Sequence, residues 1–190
     1  MHVDWLRQEI IFKIVYYGPG LGGKTTNLKH LHAHLDPAVR SELIVLKTSD
    51  ERTLYFDFLQ LELGRLKGKK PRFHIYTVPG QARYAYGRSI IIRDSDAVVF
   101  VADSQRARMD DNLSSMLDLE IKLNRQQRTL GEFPWVMQYN KRDLPNIENL
   151  STLQRRLNFL NAPWYEAVAT SGLGVFETLR GAIQLLISKI

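Results

Sequence analysis

The chain contains no cysteine among its 190 residues, and this absence removes several classes of chemistry at once. Disulfide bonds, thiol catalysis, cysteine-based zinc sites and lipidation at cysteine are all excluded. The absence is compatible with a reducing cytoplasm, which is the location that we expect. The chain starts Met1-His2 rather than Met-Gly, which argues against N-myristoylation, so we expect no covalent membrane anchor.

Long apolar runs are absent as well. The longest uninterrupted one, Ala97 to Ala102, is far shorter than the roughly 20 residues of a membrane-spanning helix. No apolar block follows the N-terminus, which argues against a signal peptide. Hydrophobic residues nevertheless make up 44% of the chain and charged residues 24%, which excludes a disordered or low-complexity chain. The length suits one domain, and we expect residues 1–190 to form it.

Positive charge is in slight excess, with 26 Lys and Arg against 20 Asp and Glu and a net charge of +6. This balance suits an anionic ligand, a nucleic acid or a membrane surface, and it does not choose between them. No nucleic-acid recognition motif accompanies the charge, so we expect no nucleic-acid partner. Five basic residues surround a predicted hairpin turn: Arg65, Lys67, Lys69, Lys70 and Arg72. They favour a charged edge that prevents strand-to-strand aggregation, with contact to an anionic membrane or a partner as the alternative.

Strand-like and helix-like hydrophobic patterns alternate along the chain. Strands are predicted at 10–17, 54–59, 72–78, 97–102, 135–139 and 164–169, and helices at 24–35, 108–127, 150–160 and 175–189. This alternation predicts an α/β fold in which helices cover both faces of a mostly parallel, six-stranded sheet, with one antiparallel hairpin at its edge. Ligands are expected at the carboxyl ends of the strands.

A glycine-rich segment lies between the first long strand and the first helix. Gly18-Pro-Gly-Leu-Gly-Gly23-Lys24-Thr25 matches the pattern G-x-x-x-x-G-K-[ST], which in this position is typical of a phosphate-binding loop. Backbone N–H groups and the amino end of the helix attract phosphate, and a Cβ in place of glycine would collide with it. Lys24 would reach the β- and γ-phosphates, and the Thr25 hydroxyl would ligate Mg²⁺. The predicted nucleotide-binding residues here are Gly18, Gly20, Leu21, Gly22, Gly23, Lys24, Thr25 and Thr26.

The segment Asn140-Lys-Arg-Asp143 directly follows a predicted strand, so it emerges at the same sheet edge. The Asp143 carboxylate can accept hydrogen bonds from both N1–H and the exocyclic amine of guanine, whereas adenine has no such pair of donors. Asn140 can bridge the base and the phosphate loop, while the alkyl stem of Lys141 covers the ring. Alone, this segment is equally typical of a solvated polar turn. Together with the phosphate loop it indicates GTP or GDP as the ligand.

Val168-Ala169-Thr170 ends the last predicted strand. A small residue such as Ala169 permits close approach of the backbone, so an N–H of this segment is a candidate donor to the guanine carbonyl. The same residues are equally typical of a strand end before a turn. Val168 and Ala169 are therefore predicted to bind nucleotide only in combination with the other two motifs.

The three motifs occur in the order of the Ras-superfamily small GTPases, and the chain resembles that superfamily over nearly its whole length. Four longer segments, 16–28, 51–59, 76–81 and 139–145, resemble its bacterial MglA-type branch, which sets front–rear polarity in gliding motility. The resemblance implies the P-loop NTPase (small G-protein) three-layer fold and a cytoplasmic GTP/GDP switch whose GTP form binds motility or polarity effectors. It also implies an activating protein of the Roadblock/LC7 type (MglB-like) and recruitment to a cell pole through partners.

One position departs from the wider superfamily. The usual D-x-x-G is here Thr77-Val78-Pro79-Gly80, so Thr77 replaces the aspartate linked to Mg²⁺, a change that the MglA-type branch shares. Asp57 on the neighbouring predicted strand is a candidate substitute, because Mg²⁺ takes carboxylate ligands. By the resemblance, Thr53 would sense both Mg²⁺ and the γ-phosphate. The predicted metal ligands are thus Thr25 and Thr53.

Two residues are candidates for catalysis. Gln81 follows Gly80 and can orient the attacking water, while the Gly80 N–H can contact the γ-phosphate. The resemblance implies that Arg52 is an internal arginine finger, a group that contributes roughly 10³–10⁵ to turnover. The alternatives are a loop-surface amide for Gln81, and for Arg52 a solvated arginine or an ion pair with Asp50 or Glu51.

Three functions follow from these observations. The first is a regulatory GTPase whose slow hydrolysis is a timer, and whose partners bind segments 37–53 and 79–93 when the γ-phosphate orders them. The second is a P-loop phosphotransferase acting on a small metabolite, which the lack of an arginine-rich lid disfavours. The third is a non-hydrolysing scaffold with bound GDP, an interpretation that Thr77 supports.

Overall fold

The structure is a computed structural model that describes residues 1–47, 53–80 and 84–189, without the side chains of residues 46–47 and 53–55. Strands and helices alternate along most of this range, with short 3₁₀ turns at Pro37–Val39 and Arg106–Arg108. The elements in chain order are β1 (His2–Asp4), β2 (Glu9–Tyr17), α1 (Lys24–His34), β3 (Ile44–Lys47), β4 (Thr53–Glu62), β5 (Lys70–Thr77), α2 (Ala85–Ile92), β6 (Ala97–Asp103), α3 (Met109–Asn124), β7 (Trp135–Asn140), α4 (Leu150–Leu157), β8 (Trp164–Glu166) and α5 (Val175–Ile187).

The described strands form one sheet in the order β3-β4-β5-β2-β6-β7-β8, and β1 pairs with the start of β2. The strands from β5 to β8 in this order run parallel, whereas β4 is antiparallel to both β3 and β5. The predicted α/β fold, with a mostly parallel sheet and an antiparallel edge, is confirmed. The described part of the sheet has eight strands rather than the predicted six. The two additional strands, β1 and β3, are too short to produce a recognisable hydrophobic pattern.

Helices cover both faces of the sheet. α1 and α5 pack on one face through residues such as Leu28 and Leu179. α2, α3 and α4 pack on the other face through residues such as Ile92, Leu119 and Leu153. Every residue of β6 is buried, and the position of this strand between two helical layers explains its uninterrupted apolar sequence.

The structure differs from the sequence-based expectation in one additional helix and in several element boundaries, of which the end of β8 bears on the site. Helix α2 was not predicted, because Gly87 and three consecutive isoleucines give its segment little helix propensity. Burial of Ile91 and Ile92 in the core accounts for the helix. β8 ends at Glu166 rather than Ala169, because Val168 pairs with Leu173 across a local turn and its N–H donates to Leu173 O at 2.9 Å instead of to β7.

The carboxyl ends of β2, β6 and β7 lie at one edge of the sheet. Residues 18–23 follow β2, Asp103 ends β6 and Asn140 ends β7. Three polar segments from distant parts of the chain therefore meet at this edge, where parallel sheets bind their ligands.

Candidate nucleotide-binding site

The loop between β2 and α1 packs tightly against its neighbours. Gly18 (φ +134°) and Gly23 (φ +102°) have backbone conformations that other residues rarely adopt. A Cβ on Gly18 would lie 2.2 Å from the carbonyl oxygen of Val101, and one on Gly23 would lie 2.1 Å from Asn140 Nδ2. Contacts within the protein itself therefore require both glycines. On the sequence alone, only the collision of a Cβ with bound phosphate explains them. Leu21, also at positive φ, is exposed on the loop.

Lys24 is the first residue of α1 and is buried beside this loop. Its Nζ donates to the carbonyl oxygens of Gly18 at 2.9 Å and Pro19 at 2.7 Å. Burial, followed by the positive charge of Arg88, lowers the pKa of Lys24 to about 7. In the described chain no carboxylate lies within ion-pair distance of this amine, so an anion in the loop would be its charge partner. Thr26 follows, half-buried, in the same helical turn.

Thr25 contacts a buried carboxylate. Its hydroxyl donates to Asp57 Oδ2 at 2.5 Å, and the Thr77 hydroxyl donates to the same oxygen at 2.7 Å. The Asp57 N–H in turn donates to Thr77 Oγ1 at 2.9 Å. Asp57 is fully buried, and among the described residues its Oδ1 has no hydrogen-bond partner. The structure thus brings the candidate substitute carboxylate to Thr25, beside the threonine that replaces the usual aspartate.

The predicted catalytic segments are described in part. Gly80 packs directly on the phosphate loop, since a Cβ there would lie 2.4 Å from the backbone nitrogen of Gly20. Thr53 begins β4, and its side chain is outside the description. Arg52 and Gln81 lie outside the described residues, and their roles stay predictions.

Asn140 connects the phosphate loop to the segment that follows β8. Its Nδ2 donates to Gly22 O at 2.8 Å, and its Oδ1 accepts the N–H of Ala169 at 2.9 Å. The sequence predicted a bridge between loop and base, whereas in this structure the bridge joins two loops. The Ala169 N–H, a candidate donor to guanine, is donated to Asn140. The neighbouring Val168 N–H donates to Leu173 O at 2.9 Å.

The side chains that follow Asn140 have separate environments. Lys141 Nζ donates to Asp103 Oδ2 at 2.6 Å, which fixes the alkyl stem predicted to cover the base. Arg142 Nε donates to Glu166 Oε2 at 2.9 Å. Asp143 is exposed, and its carboxylate has no hydrogen-bond partner within the described chain. Its acceptor oxygens are therefore accessible at the sheet edge.

Two charged residues at this edge were not among the predicted site residues. Asp103 is fully buried, accepts the Lys141 ammonium and lies 3.7 Å from Arg108 Nε. Arg108 Nη2 donates to Gly20 O at 2.7 Å. Together they connect the phosphate loop to the Asn140 segment. A carboxylate at the end of an entirely apolar strand is a signal that would have identified Asp103, whereas no sequence pattern indicates Arg108.

No protein-family model matches the chain. The chain is 47% identical over 188 residues to the mutual gliding-motility protein MglA of Myxococcus xanthus (strain DK1622), and the alignment covers 99% of this chain and 96% of that protein. The chain belongs to the MglA family. The family relationship confirms the resemblance inferred from the motifs, and it carries with it the small-GTPase class of the Ras superfamily. As a member of the MglA family, the chain has the expected P-loop type of α/β fold.

Proposed function

We propose that this MglA-family protein is a guanine-nucleotide switch that hydrolyses GTP and controls gliding motility and cell polarity. The main support is the Asn140 bridge. It joins the phosphate loop at Gly22, 118 residues earlier, to the segment at Ala169, 29 residues later. A nucleotide needs its phosphate and base sites at a fixed separation, and one buried amide sets that separation here. Asp143 lies three residues after this amide.

Base selection is assigned to Asp143. An ionised carboxylate only accepts hydrogen bonds, so it pairs with the two adjacent donors of guanine and with no edge of adenine. The anchoring of Lys141 and Arg142 by carboxylates on either side, Asp103 and Glu166, holds the segment while leaving Asp143 accessible. Because Lys141 and Arg142 are held in place and the Asp143 carboxylate is accessible, the arrangement supports recognition of GTP and GDP.

The oxygen atoms around Asp57 fit Mg²⁺. This ion prefers oxygen ligands and binds one or two carboxylates together with phosphates and water. The buried Asp57 Oδ1, which lacks a partner among the described residues, is the kind of uncompensated charge that a cation or its bound water would satisfy. Thr25 and Thr53 would hold the ion, with Asp57, which contacts Thr25, in place of the missing aspartate. When bound, Mg²⁺ neutralises charge on the transferring phosphate.

Hydrolysis is assigned to Gln81 and Arg52. The contact of Gly80 with Gly20 supports this assignment, because the residue that immediately precedes Gln81 packs against the phosphate loop. Gln81 would orient the attacking water, and Arg52 would stabilise the negative charge of the transition state. An activating protein of the Roadblock/LC7 type, MglB-like, would act by placing these two side chains rather than by supplying an arginine of its own.

The first experiment is a competition titration of fluorescent GDP with unlabelled GDP, GTP and ATP, with and without Mg²⁺. We expect guanine nucleotides to compete and ATP to fail. In Asp143→Ala the loss of two hydrogen bonds to a charged acceptor should weaken GDP binding by about a hundredfold or more. Asp110→Ala, which removes an exposed carboxylate on α3, should bind as the parent does. A preference for ATP, or equal affinities for both variants, would contradict the assignment.

The second experiment measures single-turnover GTP hydrolysis with and without the Roadblock-type protein. Gln81→Leu and Arg52→Ala should each lower the stimulated rate by roughly 10³-fold or more. Rates equal to the parent would remove both catalytic roles. Transfer of labelled phosphate to an acceptor other than water would indicate the phosphotransferase, and failure to exchange nucleotide would indicate the scaffold. The family relationship favours neither alternative.

Partners and location belong to the same proposal. Motility or polarity effectors would bind the GTP form through residues 37–53 and 79–93, in the cytoplasm or at a cell pole to which partners recruit the protein. Among the described residues, no helix combines the length and the apolar composition needed to cross a membrane. Co-precipitation with GTP-loaded and GDP-loaded protein tests the effector part, since a true effector is retained only by the GTP form.

A further inference from the structure

Two hairpin turns lie side by side at the amino end of the sheet, opposite the candidate nucleotide site. The first, residues 5–8, joins β1 to β2, and the second, residues 63–69, joins β4 to β5. Trp5 and Leu6 at the first turn are 69% and 99% exposed. Leu6 thus projects into solvent with almost no contact to its own protein.

The first turn has a defined conformation. Asp4 Oδ1 accepts the N–H groups of Leu6 and Arg7, both at 3.0 Å. Gln8 Nε2 donates to Trp5 O at 2.7 Å, and Gln8 itself has φ +54°. These contacts hold the two apolar side chains outward as a fixed projection rather than letting them fold back onto the protein.

The second turn is tied to the first. Lys69 Nζ donates to Gln8 Oε1 at 3.3 Å and lies 4.1 Å from the centre of the Trp5 ring. The backbone N–H of Lys70 donates to Gln8 O at 2.9 Å. The two turns therefore form one surface, which we call the basic tip surface and define by Trp5, Leu6, Arg7, Arg65, Lys67 and Lys69.

Positive charge dominates around the two apolar side chains. Residues 4–9 and 62–72 contain six Lys and Arg but only three carboxylates. Glu9 is paired with Arg72 at 2.8 Å, and Glu62 is shared between Arg72 and Lys70. The third carboxylate, Asp4, is engaged in the first turn. Asp4 also lies 4.0 Å from Arg7 Nε. Six basic side chains against three carboxylates give these two segments a net positive charge of three.

We propose that the basic tip surface docks on an anionic lipid bilayer. An aromatic and an aliphatic side chain at a projecting turn enter the boundary between head groups and acyl chains, and surrounding cations are attracted to anionic lipid. Such an anchor without covalent lipid is weak and reversible. The proposal concerns a site distinct from the nucleotide site and does not depend on the function proposed above.

Other partners match this surface less well. Nucleic acid would use the cations but has no use for a fully exposed leucine at a convex tip. A protein interface of standard size buries about 800 Å² on each partner, and two projecting apolar side chains supply only a small part of that area. The combination of Leu6 and Trp5 with a cationic rim is the chemistry of a lipid interface.

The location of the surface is compatible with the switch function. β2 runs nine residues from the first turn to the phosphate loop, a length of about 30 Å at roughly 3.3 Å per residue. A bilayer in contact with Leu6 would therefore leave the nucleotide edge facing away from the membrane. Docking and nucleotide exchange do not compete for space.

Sedimentation with vesicles tests the proposal. The GDP-loaded protein should bind vesicles in which phosphatidylglycerol replaces part of the phosphatidylcholine, bind neutral vesicles far less, and dissociate as salt is raised. Leu6→Ser and the double variant Arg65→Gln/Lys67→Gln should each lower the partition coefficient roughly tenfold. The matched controls are Leu160→Ser and Arg155→Gln/Arg156→Gln, which alter exposed side chains near and on α4 and should bind as the parent does.

Tryptophan fluorescence distinguishes insertion from mere charge attraction. Entry of Trp5 into the lipid boundary should shift its emission to shorter wavelength, and Trp5→Phe should lose this shift. Absence of vesicle binding, or equal losses in the test and control variants, would overturn the proposal. If the protein binds vesicles without an emission shift, and duplex DNA or an acidic protein competes with the vesicles for it, the surface binds polyanions instead of lipid. Fluorescent-GDP titration of the same variants should give parental affinities, so a failure here is separable from a failure of nucleotide binding.

Discussion

Lys24 combines a positive charge with burial and has no carboxylate partner among the described residues. Desolvation, reinforced by the charge of Arg88, lowers its pKa to about 7 from 10.5. A phosphate chain in the loop would supply the missing negative charge and stabilise the protonated amine. Binding of a nucleotide is therefore linked to the protonation of this one side chain.

The linkage predicts the sign of a pH effect. In the free protein Lys24 loses its proton above about pH 7, so GDP binding at about pH 8.5 should take up nearly one proton, and at about pH 6 almost none from this group. GDP affinity should accordingly fall as the pH rises. Titration calorimetry in two buffers of different ionisation enthalpy measures the uptake. Asp143→Ala should bind more weakly with the same uptake, and an uptake equal at both pH values would contradict the role of Lys24.

Asp57 gives a second prediction for a single residue. Asp57→Asn keeps the shape of the side chain but removes the charge that we assign to Mg²⁺, so the Mg²⁺ concentration needed to slow GDP dissociation should rise roughly 10- to 100-fold. Thr77→Val leaves the carboxylate in place and should have a much smaller effect. Dissociation of fluorescent GDP, measured over a range of Mg²⁺ concentrations, provides the comparison. Unchanged Mg²⁺ dependence in Asp57→Asn would show that this carboxylate does not serve the ion.

At the scale of elements, one partly buried ion pair connects three segments near the site. Arg88 on α2 donates to Asp118 on α3 at 2.8 Å and to Pro79 O, after β5, at 3.4 Å. Tyr17 and Lys122 donate to the same carboxylate. Burial acts to raise the pKa of Asp118, but hydrogen bonds from its three neighbours outweigh it and hold the pKa below its usual value. The position of α2 thus depends on charge as well as on apolar packing.

Removal of either charge should loosen α2. Arg88→Ala removes one of the three side chains that donate to Asp118, together with the contact to Pro79 O. We expect a loss of about 2 kcal/mol in the free energy of unfolding. Because the pKa of Asp118 is lowered in the folded state, its contribution is complete above the unfolded pKa and is lost as the pH falls through the folded pKa. The stability difference between parent and Asp118→Asn should shrink accordingly in acid. Denaturant unfolding measures both effects, and the exposed Arg93→Ala is the control, expected to change stability little.

The sequence predicted best those elements whose pattern is strong and local. The predicted and observed bounds agree closely for β2, β6, β7 and α5, because long apolar runs or regular apolar spacing determine these elements. α2 was missed because its isoleucines favour strands intrinsically, and only the complete core decides otherwise. The site shows the same division. The loop motif and Asn140 were recognisable, but the contacts of Arg108 and of Ala169 depend on how distant strands are aligned.

At the scale of the whole molecule, the two ends of the sheet differ in character. The carboxyl edge gathers loops that are joined by buried polar contacts, whereas the amino end carries the basic tip surface. Asn140 is central to the carboxyl edge. It bonds to Gly22 and Ala169, and it lies so close to Gly23 that a Cβ there would not fit. The arrangement of the entire edge depends on a single amide.

Asn140→Ala should therefore affect stability and binding together. It removes partners from the buried Gly22 carbonyl and the Ala169 N–H, which should lower the free energy of unfolding by about 2 kcal/mol in the absence of nucleotide. GDP binding should weaken as well, because the two loops lose their fixed separation. Thermal and denaturant unfolding, with fluorescent-GDP titration, measure both quantities. Asn124→Ala, at an exposed position of α3, is the control, and equal stability of the two variants would contradict the bridge.

The lowered pKa of Lys24 also has a consequence for covalent labelling. A free amine is a nucleophile and an ammonium is not, so with a pKa of about 7 this side chain is about half reactive at neutral pH, while ordinary lysines are almost fully protonated. An aldehyde small enough to enter the loop should modify Lys24 ahead of the exposed lysines. Bound GDP should block that reaction, which makes the amine a natural attachment point for a covalent inhibitor of the switch.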